Sequence, residues 1–120
     1  MKKLSCLLLM VALASPAWAD CTYPKLSGKI PNGRSATKAQ MVEAQNNVKQ
    51  YQSEITAYLG CIKTDHEAAL IKDAATLTDK QRESMTAKYV KKNDDAVDAA
   101  KEVADRWNEQ RSVFVAKDTK

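Results

Sequence analysis

The chain has 120 residues, 44% hydrophobic and 28% charged, with only three Gly and three Pro; length and composition describe one helix-leaning domain. Aromatic content of 6% with a single Phe argues against a thick multilayered core. Beyond the first residues, no apolar run approaches the roughly 20 residues that span a bilayer.

The N-terminus reads as an export signal. Lys2 and Lys3 form a basic start, Leu4 to Ala14 an apolar stretch, and Ala17-Trp18-Ala19 has the small-x-small spacing of a signal-peptidase site. Cleavage is expected after Ala19, making residues 1–19 a signal peptide. Cys21 follows Ala19-Asp20, whereas a lipoprotein signal needs a small residue directly before the cysteine, so lipid anchoring is not expected. Removing Lys2 and Lys3 takes the net charge from +4 to +2, too little to imply a nucleic-acid partner. The destination implied is the periplasm of a Gram-negative bacterium, or secretion.

Cys21 and Cys61 then remain. In an oxidising compartment such a pair closes as a disulfide. Neither has a second Cys or a His within four residues, so no metal is expected.

From Cys21 to Ser35, Pro24, Gly28, Pro31, Asn32 and Gly33 interrupt any helix, and residues 20–36 read as an extended arm. Thr37 followed by Gln40 has the form of a capping box, flanked by a weak hydrophobic staple of Ala36 and Met41. A helix is expected to begin there and to run to about Lys72. Met41, Val48, Ile55, Ile62 and Ala69 form one row of its seam, with Ala44, Tyr51 and Tyr58 interleaved.

Asp73 to Leu77 reads as a turn, after which Thr78 and Gln81 repeat the capping-box spacing. Met85, Tyr89, Ala96, Ala100, Val103, Trp107 and Phe114 then recur at helical spacing. Asn93, Asp94 and Asp95 are poor helix formers: they either recap a third helix or form a polar stretch within a continuous one. The expected fold is all-α, a long antiparallel helical hairpin over residues 37–120, with the arm folded back along the first helix. Cys61 lies roughly 36 Å into that helix and the arm can span about 50 Å, so Cys21 reaches it. Tyr23, Leu26 and Ile30 would then lie over residues outside the seam, such as Val42 or Leu59.

Cys21-Thr-Tyr-Pro, Ile30-Pro-Asn-Gly, Tyr58-Leu59-Gly60-Cys61 and Val103-Ala-Asp-Arg-Trp-Asn-Glu-Gln-Arg111 together resemble small exported proteobacterial proteins without an assigned activity. That resemblance implies a secreted helical protein and supplies no catalytic residues. Leu77-Thr-Asp-Lys-Gln81 is similar to the Leu-Thr-x-x-Gln motif of the Spy and CpxP type of periplasmic chaperones and stress adaptors. Those are cradle-like helical dimers that usually carry the motif twice. At the other helix start Ala36-Thr37-Lys38-Ala39-Gln40 keeps Thr and Gln but not Leu, and both stretches are equally well explained as caps.

Other candidates for chemistry weigh less. His66, the only histidine, sits between Asp65 and Glu67, but adjacent helical residues point in different directions and do not converge on one ion. Asp94, Asp95, Asp98 and Glu102 lie in a stretch interleaved with lysines and read as a solvated face. The aromatic residues at seam spacing read as packing. Lys25, Lys29, Arg34, Lys38 and Lys49 make the arm and first turns basic, suited to anionic headgroups or envelope polymers, or simply to solubility. No catalytic residue, cofactor or metal is expected. The functional expectation is a non-enzymatic periplasmic protein with a structural or interaction role, its partner an envelope protein or a second copy; the alternative is a Spy-like chaperone or stress adaptor.

Overall fold

The computed structural model describes residues 21–119. The expected signal peptide, residues 1–19, lies outside the described residues. Two long helices dominate: α1 over Lys38–Lys72 and α2 over Asp79–Asp118, with no strand among the described residues. They pack as a hairpin, and at 1.5 Å rise per residue they are about 50 and 60 Å long.

Both helices start where a local motif satisfies free backbone donors. The Thr37 hydroxyl accepts from the Gln40 N–H at 3.2 Å while the Thr37 N–H donates to Gln40 Oε1 at 2.9 Å. Thr78 and Gln81 repeat this at 3.2 and 2.8 Å. Between the helices the Leu77 N–H returns to the Asp73 carbonyl at 2.9 Å, and the Arg82 guanidinium donates to the Ala74 carbonyl, tying the turn to the next helix.

α1 buries Met41, Ala44, Val48, Tyr51, Ile55, Tyr58 and Ile62, the three-and-four spacing of a seam. α2 buries only Ala96. Tyr89, Ala100 and Val103 pack partly buried against the cluster that Ala96 forms with Tyr51, Ile55, Tyr58 and Ile62. The register is fixed where Gln52 Nε2 donates to the Ala100 carbonyl at 3.0 Å and where His66 meets Tyr89.

Of the two readings of Asn93 to Asp95, the continuous helix is the one that forms. Lys91 and Asp95, one turn apart, pair at 2.8 Å across this stretch, and fully buried Ala96 anchors it to α1. Packing outweighs weak local propensity here.

The arm lies in the groove between the helices. The Cys21–Cys61 disulfide, with Cα atoms 5.8 Å apart, pins its start to α1. Tyr23 stands edge-on to Tyr58 with ring centroids 5.1 Å apart, and Leu26 packs against the core cluster. Its far end closes on α2: the Gly33 N–H donates to Gln110 Oε1 at 2.9 Å, and Lys117 Nζ donates to the Ala36 carbonyl at 3.0 Å. The expected cover over Val42 does not form, since Val42 stays 48% exposed. The physical reason is Gly33: lacking a Cβ, it settles onto the backbone of α2 and draws the arm into the groove.

Candidate functional site

Two surfaces stand out once the arm is seated. The first is the stretch of groove between Cys21 and the turn, a cleft of about 410 Å³. Tyr58, Ile62, Met85 and Tyr89 give it apolar walls, while Asp65, His66, Lys88 and Lys92 bring polar groups to it. The His66 and Tyr89 rings stack face to face with centroids 4.7 Å apart and planes within 2°. His66 Nε2 lies 3.5 Å from the Thr86 hydroxyl, at the outer limit of a hydrogen bond.

His66 has no hydrogen bond from a described residue to orient its other ring nitrogen. It therefore lacks the oriented third group that turns a hydroxyl and an imidazole into an activated nucleophile. Asp65 and His66 border the same cleft, a juxtaposition the sequence reading did not expect, whereas Glu67 pairs with Lys63 at 4.0 Å.

The Cys21 sulfur sits 3.1 Å from Asp65 Oδ2. A bonded sulfur carries no proton, so this is a contact and not a hydrogen bond. Cys21, Cys61 and Asp65 bring their ligand-type atoms within 4.8 Å of one another. With both sulfurs consumed by the disulfide, no thiolate is left to bind a metal.

The remaining residues singled out in the sequence fall into place as solvent-facing or packing groups. Asp94, Asp95, Asp98 and Glu102 are exposed, as are Lys25, Lys29, Arg34, Lys38 and Lys49. Hydrogen bonding to Asp95, reinforced by its charge, raises the Lys91 pKa; Asp105 does the same for Lys101. Tyr51 and Tyr58 are buried, and Tyr89, Trp107 and Phe114 half-buried along the seam.

The second surface is the hairpin face away from the arm. Val90, Val97 and Ala104 lie about 100° around α2 from Ala96, in the sense opposite to the arm-contacting Gln110 and Lys117. Val90 and Val97 are each 46% exposed and Ala104 is half-buried. Among the described residues no helix is long and apolar enough to cross a membrane, so this face is not one side of a membrane span. Its signal in the sequence is the seven-residue repeat of small and β-branched residues, offset from the main seam.

Comparison of the chain with protein-family models, with curated proteins and with solved structures finds no match.

Proposed function

We propose that this protein is a non-enzymatic interaction module of the bacterial envelope, a disulfide-clamped helical hairpin that presents one face of α2 to a protein partner. The observation that carries the reading is the asymmetry of burial: seven α1 residues are buried against one in α2. Helix pairs gain stability mainly by burying an apolar stripe, and α2 keeps much of its own available. The disulfide supports an oxidising compartment. The expected export signal points the same way.

The Leu-Thr-x-x-Gln string carries less weight for a chaperone role, since Thr78 and Gln81 are both engaged in the helix cap. The test is affinity capture from envelope extract with oxidised protein, beside a Val90→Asp variant. A specific partner retained by the first and lost by the second is expected. Equal capture by both, or turnover of a substrate at the His66 cleft, would overturn the reading.

A further inference from the structure

We infer that the arm-free face of α2 is a self-association surface that joins two copies of the chain antiparallel about a two-fold axis at Val97. This rests on the interaction reading above and names its partner. Val90, Val97 and Ala104 recur every seven residues, which keeps them on one line along the helix. The two valines are each 46% exposed, and the arm occupies the other face of the hairpin.

The charges beside this line choose both partner and direction. Asp94 and Lys101 flank the valine row and are themselves seven residues apart. Asp94 makes no hydrogen bond or ion pair with any described residue. Lys101 pairs with Asp105 at 2.9 Å but remains 73% exposed, open to a second carboxylate.

Placed antiparallel with Val97 on the axis, Val90 of each copy meets Ala104 of the other. Asp94 of each copy then meets Lys101 of the other, so one attractive pair forms twice by symmetry. A parallel pair has its two-fold axis along the helices, which puts the Asp94–Lys101 flank of one copy on the opposite side of the seam from that of the other, so neither ion pair forms. The pattern is thus self-complementary in one direction only. Glu83 lies fourteen residues before Val97, so the two Glu83 positions of an antiparallel pair stand about 42 Å apart along the axis.

Sedimentation of the oxidised protein over a range of concentrations tests this. A reversible monomer–dimer equilibrium is expected, weakened at least tenfold by Val97→Asp, with unchanged helicity because Val97 is half in solvent already. Asp94→Lys and Lys101→Asp should each weaken the dimer, and the double exchange should restore it. Spin labels at position 83 should read about 40 Å in the dimer. A chain that stays monomeric at every concentration overturns the inference, as does a dimer indifferent to Val97→Asp, a double exchange that fails to restore, or labels within about 20 Å, which a parallel pair would give. A monomer that still captures an envelope partner through Val90 leaves the interaction reading standing and removes only the self-pairing.

Discussion

Gly33 rests directly on Gln110, seventy-seven residues later in the chain, its N–H donating to the Gln110 side chain at 2.9 Å. A Cβ built on Gly33 would collide with the Gln110 carbonyl oxygen and crowd the Phe114 amide nitrogen, which are helix backbone and cannot yield as a flexible side chain would. This contact and the disulfide hold the two ends of the arm to different helices.

Gly33→Ala should accordingly cost about 1–3 kcal/mol, the range for overpacking a close contact. Urea denaturation measures it, and hydrogen exchange should show residues 30–36 losing protection while the seam around Ile55 keeps its own. An unchanged midpoint would show that the arm end is not seated on α2.

Removing the crosslink with Cys21→Ser and Cys61→Ser should lower stability by up to roughly 4 kcal/mol, the chain-entropy value for a loop of about forty residues. Both capping boxes and the interhelical seam survive this change, so far-ultraviolet circular dichroism should still report two helices at low temperature. Reducing agent should shift the wild-type midpoint towards that of the variant and leave the variant unmoved. An identical midpoint for oxidised wild type and the serine variant would contradict the clamp.

Alkaline pH should lower the stability of the fold. Burial, aided by nearby Tyr23 and Glu102, raises the Tyr51 pKa above its ordinary 10.0, so the folded state holds that proton more tightly than the unfolded chain does. This contribution is complete below pH 10.0 and is lost as pH rises through the folded value. Lys91 and Lys101, raised by their aspartate partners, follow the same sign, though their exposure to solvent makes their share small. Denaturant midpoints against pH check this: Tyr51→Phe should flatten part of the alkaline fall. A wild-type midpoint that already falls in the neutral range would speak against it.

General holdase activity should be absent. If Val90 and Val97 are covered by a second copy, little contiguous apolar surface remains for unfolded clients. The oxidised protein should neither suppress aggregation of a denatured client at near-stoichiometric ratios nor bind an apolar dye strongly. Clear suppression, lost when Val90 and Val97 are made polar without unfolding, would favour the chaperone alternative.

Helix starts and the α1 seam were legible in the sequence because their causes are local: Thr37 answers Gln40 three residues away, and Met41, Val48, Ile55 and Ile62 keep a seven-residue beat. The disulfide was legible because Cys6 lies within the expected signal peptide, which leaves Cys21 and Cys61 as a single pair. The return of the arm along α1 was legible from the same pair, but its contacts with α2 were not. Nothing near Gly33 announces Gln110, and nothing near Ala36 announces Lys117, so the arm's seat in the groove had no local signal. The His66–Tyr89 stack was hidden for the same reason, since each residue reads alone as seam or surface. At Asn93 local propensity was balanced, and Ala96 packing decided for the continuous helix.

The crosslink also sets how the chain carries load. A pull on residues before Cys21 passes through the sulfurs straight into the middle of α1, so the arm and the first part of that helix are bypassed and bear no tension. Stretched between residues 21 and 119, the oxidised chain extends only in the part beyond Cys61. The forty-residue separation between the bonded cysteines is about 140 Å of contour that appears only after reduction.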